Sequence, residues 1–261
     1  MAFDIVQGDE YIDRLSHMVD AVEKFSEERK NATVLLRGHF DARWELKPTL
    51  GREYHHAGES RTFSTTNERD FVHRFIRHCY AHFGRALSAW EAYLLARQHG
   101  LPVRLLDWTG NPLIALYFAV NDERPFDPQS ACAEGEVWAL ARKPSDDTFV
   151  NVLDHSDPLA VDGLKVIYPL DISPRLTAQG GVYTIQPDGR RPLSDYSGEP
   201  FSARDIDIVA MKRWRVPVHL KPVLLRQLHR VNISRRTVFP DLDGVAASIW
   251  QDEFFRGARH L

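Results

Sequence analysis

Gln98-His99-Gly100-Leu101-Pro102-Val103-Arg104-Leu105-Leu106-Asp107-Trp108-Thr109-Gly110-Asn111-Pro112, running on into Leu113-Ile114-Ala115-Leu116-Tyr117-Phe118-Ala119-Val120, is the stretch that decides the fold. A helix is expected to stop at Gly100, because glycine accepts the left-handed cap and Pro102 cannot continue a helix. Residues 103–106 form a short apolar run that reads as a buried strand. Asp107, Trp108 and Thr109 then fall at its exit, where a rigid edge presents side chains to a cleft. Asn111 is placed to cap a second helix with Pro112 in its first turn, and that helix is apolar nearly all round, so it should be central. The same residues also read as a structural corner, with Asp107 capping and Trp108 filling the core.

The chain of 261 residues is 43% hydrophobic, enough to bury a core, and no change of composition marks a join between domains. A single unit over residues 1–261 is expected, with a helical segment at about 9–30 and a core from about 33 onward. No apolar run approaches the ~20 residues needed to cross a bilayer. The first ten residues lack a basic region followed by an apolar one, and the two cysteines, Cys79 and Cys132, are too few for a disulfide scaffold. A cytoplasmic protein without membrane partners is the expectation. The net charge of −3 conceals a bias, since 26 of the 33 basic residues are arginine. Arginine forks suit phosphates and carboxylates, although a GC-rich genome enriches the same codons.

Outward from the centre, residues 9–30 carry Tyr11, Leu15, Met18, Val22 and Phe25 at helical spacing. Residues 33–36 read as a buried strand ending at Arg37-Gly38-His39. A charge there needs an internal carboxylate or a cleft, and Gly38 leaves room for a backbone or a ligand to come close. Residues 51–66 look like a connection. Asn67 is expected to cap a long helix reaching about Leu87, with Phe71, Phe75, Cys79 and Phe83 inward. Its other side carries Arg74, Arg77 and His78, a basic stripe that suits a phosphate backbone or is simply a solvated face. His78 and His82 lie one turn apart but lack an evident third metal ligand, so no metal is expected. Further strands are expected at 135–141, 166–170, 181–185 and 207–211, and closing helices at 222–231 and 243–255. Gln179 stands just before the strand at 181–185. Its amide suits either a ligand or a turn.

Several of these segments resemble the FRG domain family, named after a Phe-Arg-Gly motif. They are Leu36-Arg37-Gly38-His39, Ala96-Arg97-Gln98-His99-Gly100-Leu101-Pro102, Arg104-Leu105-Leu106-Asp107-Trp108-Thr109, Ala115-Leu116-Tyr117-Phe118-Ala119 and Phe239-Pro240-Asp241-Leu242-Asp243-Gly244. Leu36 stands where the motif has Phe, and His39 where a Gln often follows. The order of elements also resembles ADP-ribosyltransferases of the Arg-Ser-Glu type. That resemblance implies an α+β domain whose two small, mostly antiparallel sheets form a split core flanked by N- and C-terminal helices. It implies NAD as substrate, Arg37 gripping the dinucleotide with Gly38 and His39 beside it, and Asp107-Trp108-Thr109 near the nicotinamide ribose. Trp108 or Tyr183 would stack on nicotinamide, and Gln179 falls where such enzymes carry glutamate. A neutral amide holds a ribose hydroxyl but adds no charge to stabilise an oxocarbenium-like ribose, so either Asp107 supplies that charge from the other strand or the fold has kept NAD binding and lost transfer. Glu134-Gly135-Glu136-Val137 imitates the expected Glu-x-Glu but comes one strand too early.

The resemblance further implies a bacterial toxin or phage-defence effector, with a nucleic-acid or protein acceptor and an antitoxin or inhibitor protein as partners. Two other readings stand beside it. One is a non-catalytic nucleotide- or RNA-binding module that uses the Arg74, Arg77 and His78 stripe. The other is a metal-dependent nuclease built on Asp107 and His99.

Overall fold

The protein is described from a computed structural model covering residues 3–30, 32–121, 133–143, 149–150, 152–153, 156–170, 173–199, 206 and 208–257. Cys132 and most of the connection expected after Asn121 lie outside the described residues. The strands are β1 (Asp4–Tyr11), β2 (Thr33–His39), β3 (Tyr54–His56), β4 (Glu59–Arg61), β5 (Leu105–Thr109), β6 (Gly135–Arg142), β7 (Phe149–Val150), β8 (Lys165–Ile167), β9 (Gly181–Ile185) and β10 (Ile208–Val216). The helices are α1 (Leu15–Glu27), α2 (Thr65–Phe83), α3 (Ala89–Gln98), α4 (Pro112–Val120), α5 (Pro174–Gln179), α6 (Lys221–Arg230), α7 (Arg235–Val238) and α8 (Leu242–Gly257). The class is α+β, as expected. The two sheets are unequal: one has eight strands in the order β1-β10-β6-β2-β5-β9-β8-β7, and the other is the β3–β4 hairpin.

The large sheet is mostly antiparallel, with parallel pairs only at its two ends, β1–β10 and β7–β8. β2 runs against β6 over seven residue pairs, and β5 against β9 over five. Between β2 and β5 the ladder shrinks to the single pair Leu36↔Thr109. Four strands on each side are therefore joined by one rung, and beyond that rung the strands part.

Helix α4 lies against this sheet and is buried along most of its length, as its all-round apolar sequence predicts. Asn111 caps it through Leu113 N and Ile114 N, with Pro112 in the first turn. Two glycines set how closely it sits. A Cβ on Gly38 of β2 would stand 1.9 Å from Ala115 O, and one on Gly135 of β6 would stand 2.2 Å from Ala119 O. The space left by Gly38 is thus taken by a helix backbone. α1, α4 and α6 enclose one cluster with Leu36, Val137 and Trp214, while α2 and α3 cover Leu105, Tyr183 and Ile185. Alternate residues such as Leu35, Trp108 and Trp138 turn to a third cluster under irregular segments.

Several expected boundaries move. Residues 4–11 form a strand instead of beginning a helix. β10 recruits this segment as a parallel neighbour through a bulged register, and Ile12 N closes the pairing on Arg215 O at 2.8 Å. The helical spacing applies only to α1, where Met18, Val22 and Phe25 are buried. β2 continues through His39 and β5 through Thr109, so Asp107, Trp108 and Thr109 lie within a strand and not beyond its end. Tertiary pairing with β6 and β9 carries these polar residues into the sheet. Residues 51–66 contain the β3–β4 hairpin, turned at Ala57 and Gly58 with φ of 51° and 82°. Helix α2 starts at Thr65 behind a Ser64–Asn67 capping box and ends at Phe83, where Gly84 takes φ 64°. Phe83 is exposed there, not inward. No described helix is long and apolar enough to cross a membrane.

Candidate functional site

Where β2 and β5 part, a cavity of about 280 Å³ opens. Leu36, Arg37, Gly38 and His39 all line it, although successive strand residues point to opposite faces, because it lies past the end of their ladder. Asp107, Trp108 and Thr109 come from β5, Gln179 from the end of α5, and Tyr183 from β9. The expected cavity residues therefore meet in one place, brought from three parts of the chain.

Arg37 stands at the centre. Its Nη1 donates to Asp107 O at 2.8 Å and to Asp107 Oδ2 at 3.3 Å, supplying a cross-strand bond where the ladder has stopped. Its Nε donates to His39 Nε2 at 3.0 Å. Burial brings the guanidinium down to about 10, opposed by the Asp107 charge, so it stays protonated at neutral pH. Asp107 is also held by Arg97 Nη2. Burial works against the Asp107 charge, but Arg97 and Arg37 outweigh it and keep the carboxyl below its ordinary value. That side chain remains 39% exposed, facing the cavity between two arginines.

His39 and Glu136 extend the cluster into the protein, both 1% exposed. Since His39 Nε2 accepts from Arg37, Nδ1 carries the hydrogen and donates to Glu136 Oε1 at 3.1 Å. Burial first, then the charges of Arg37 and Arg52, hold His39 well below 6.5 and therefore neutral. Burial raises the Glu136 carboxyl to about 7, although Trp138 Nε1 donates to its Oε1 at 2.6 Å.

Among the described residues the cavity wall carries four guanidiniums, Arg37, Arg52, Arg97 and Arg175, against the single carboxylate of Asp107. Arg52 donates to Lys47 O, and Arg97 Nε is buried without a hydrogen-bond partner. Arg175 makes no hydrogen bond or ion pair among the described residues, and its guanidinium lies 4.2 Å from the Phe239 ring centroid. Trp44, Phe118, Tyr183 and Phe239 add aromatic surface. A cationic cavity with flat apolar walls is suited to an anionic ligand that carries a ring.

Other expected residues are already engaged by the protein. Thr109 Oγ1 donates to Gln179 O at 2.7 Å and accepts from Asn111 N, tying β5, α4 and α5 together. Gln179 Nε2 donates to Val238 O at 3.2 Å. Trp108 packs in the core with its indole N–H on Thr184 Oγ1 at 3.0 Å. Arg74, Arg77 and His78 are exposed on α2 and do not line the cavity, and Arg74 faces Asp70 at 3.4 Å. His99 is exposed after α3 and likewise stands outside it. Among the described residues no three His, Cys, Asp or Glu side chains gather as a metal site needs.

Sequence reasoning passed over Arg52, Arg97 and Arg175, and noticed Glu136 only for its Glu-x-Glu pattern. Arg97 had a signal, since it lies in the same motif as Gln98 and Gly100. The others become site residues only through the tertiary fold.

Residues 32–128 match the family model of the FRG domain. No curated protein and no solved structure matches the chain.

Proposed function

Taking as premise that the chain carries an FRG domain, we propose that its cavity binds a pyrophosphate-bearing nucleotide, NAD, and that the protein is an ADP-ribosyltransferase-like enzyme. The observation that carries the reading is the wall of four guanidiniums and one carboxylate, set among aromatic rings, at the parting of β2 and β5. A volume of about 280 Å³ is at the low end of the roughly 300–1,000 Å³ usual for small-molecule sites. It suits one half of a dinucleotide, with the other half reaching out through the mouth.

In this reading Arg175, whose guanidinium makes no hydrogen bond or ion pair among the described residues and lies 4.2 Å from the Phe239 ring centroid, meets the pyrophosphate first. Phosphate oxygens then replace Asp107 as partners of Arg37 and Arg97. Asp107, released, turns toward the nicotinamide ribose and supplies the negative charge that Gln179 lacks. Tyr183, opposite Asp107 in the β5–β9 register, provides the ring face. The acceptor is a nucleic acid or a protein, and a toxin or phage-defence role with an inhibitor partner belongs to the same proposal.

The internal use of Thr109, Gln179 and Asp107 favours a second reading, a nucleotide-binding module without chemistry. One experiment separates the two. NAD carrying labels on both halves is incubated with the protein, a cell lysate, and the Arg37→Ala and Arg175→Ala variants. Nicotinamide release with transfer of the ADP-ribose label, lost in both variants, supports the enzyme. Calorimetric binding without release supports the module, and the absence of binding overturns both.

A further inference from the structure

Arg37 is anchored at two of its guanidinium nitrogens. Nε donates to His39 Nε2 at 3.0 Å, and Nη1 donates to Asp107 O at 2.8 Å and to Asp107 Oδ2 at 3.3 Å. Nη2 makes no hydrogen bond among the described residues, yet it is not sealed in as Arg97 Nε is. It is the nitrogen of this fork left open to the cavity that Arg37 lines. A guanidinium is rigid and flat, so anchors at two of its nitrogens fix the direction of the third. The carboxylate half of the Asp107 anchor is what a ligand phosphate replaces in the function proposed above. The His39 anchor, 1% exposed, is beyond a ligand's reach and persists.

The tautomer of His39 matters to this anchor. Arginine has no lone pair to offer, so Nε2 of the imidazole must be bare and its hydrogen must sit on Nδ1. The other tautomer would set two N–H groups against each other at 3.0 Å. Glu136 Oε1, 3.1 Å from Nδ1, accepts that hydrogen, and the Trp44 backbone adds a hydrogen bond to the same ring. Glu136 Oε1 also accepts from Trp138 Nε1 at 2.6 Å, and it remains an acceptor when the carboxyl carries a proton on Oε2. The chain is built from cross-strand pairs of β2 and β6, with His39 opposite Glu136 and Arg37 opposite Trp138.

We infer that His39 is a positioning residue for the ligand of this cavity: kept in one tautomer by Glu136, it fixes the Arg37 fork with Nη2 presented to an anion. The inference rests on the reading of the cavity as a phosphate site. A histidine with only a structural role would need to fill its space and satisfy Glu136. The bond to Arg37 Nε places a further demand on one particular ring nitrogen. A contact group locked by a buried partner leaves less to be ordered when the ligand arrives, and binding is tighter for it.

Substitution by the two amides separates these roles. Asparagine places its amide near the position of Nδ1, and glutamine places one near that of Nε2. His39→Asn therefore keeps the Glu136 contact and loses the Arg37 contact, while His39→Gln keeps the Arg37 contact. Calorimetric titration of the full chain with inorganic pyrophosphate should find His39→Gln binding as the parent does and His39→Asn about tenfold weaker. Trp138→Phe removes the outer end of the chain and leaves His39 bonded to Glu136. It should lower the melting temperature and leave pyrophosphate affinity unchanged. Nitrogen NMR spectra of the parent should place the His39 hydrogen on Nδ1. A hydrogen on Nε2, or affinities of the two amide variants that move together, would overturn the inference and leave the phosphate reading standing. Absence of pyrophosphate binding by the parent would overturn both.

Discussion

Arg37 Nη1 donates to both the backbone carbonyl and the carboxylate of Asp107, at 2.8 Å and 3.3 Å, at the point where the β2–β5 ladder has dwindled to one pair. The side chain thus continues a ladder that the backbone has given up. Asp107 acts as an internal anion for Arg37 and Arg97, in the position that a ligand phosphate would take.

Asp107→Asn keeps the carbonyl bond and removes the charge. We expect a loss of about 1–2 kcal/mol, less than the ~3–5 kcal/mol for a fully buried pair, because a carboxylate 39% exposed is screened by water. We also expect tighter binding of pyrophosphate, since the internal competitor is gone. Thermal unfolding and calorimetric titration check both parts, and weaker anion binding would count against Asp107 as a stand-in for phosphate.

Gly38→Ala is expected to prevent folding or cost at least ~3 kcal/mol, the upper end for overpacking, because its Cβ would meet the backbone of α4. Gly110 has open space around its Cβ position, so Gly110→Ala should change stability by less than about 0.5 kcal/mol. Paired melting curves of the two variants decide the point.

Glu136 and His39 titrate in opposite senses. The folded Glu136 keeps its proton up to about 7 against an ordinary 4.5, so its contribution is full below 4.5 and is lost as pH rises toward 7. His39 is held below 6.5, so the unfolded chain gains a proton that the folded one refuses, and stability falls as pH drops below 6.5. Between about 5 and 6.5 the two oppose one another, each by no more than ~1.4 kcal/mol per pH unit. In Glu136→Gln only the histidine effect remains. Its melting temperature should therefore climb more steeply with pH than that of the parent, and parallel curves would refute the assignment.

Gln179→Glu installs the carboxylate that the transferase resemblance implies, but it removes the donor to Val238 O. A loss of roughly 1 kcal/mol is expected, with no gain in nicotinamide release from NAD. A clear gain would identify position 179 as the site of the reaction's carboxylate.

The centre of the fold was legible because it is written in local chemistry. Asn111 and Pro112 start α4, and Gly100, at φ 83°, follows the end of α3. The strand at 181–185 was read to the residue. β1 was not legible, because its pairing depends on β10, some 200 residues away, and its own sequence lacks clean alternation. In the site, Arg37 and Asp107 stood out as charges within apolar strands. Arg52 and Arg175 did not, since an arginine in a loop or a short helix looks the same whether it faces solvent or a cavity. Glu136 was noticed for its pattern, but its buried place behind His39 depends on β2 and β6 pairing.

The recognised stretch ends at residue 128, yet neither of its long strands finds a full partner inside it. β2 is sealed by β6 and β5 by β9, both encoded later, while β2 and β5 share one rung. Arg175, Gln179, Tyr183 and Phe239 likewise arrive from beyond the boundary. A fragment trimmed to the match would be left with two raw strand edges and half a binding wall. Evolutionary signature and folding unit do not coincide here, and truncation or domain-grafting experiments should be cut by the sheet and not by the motif.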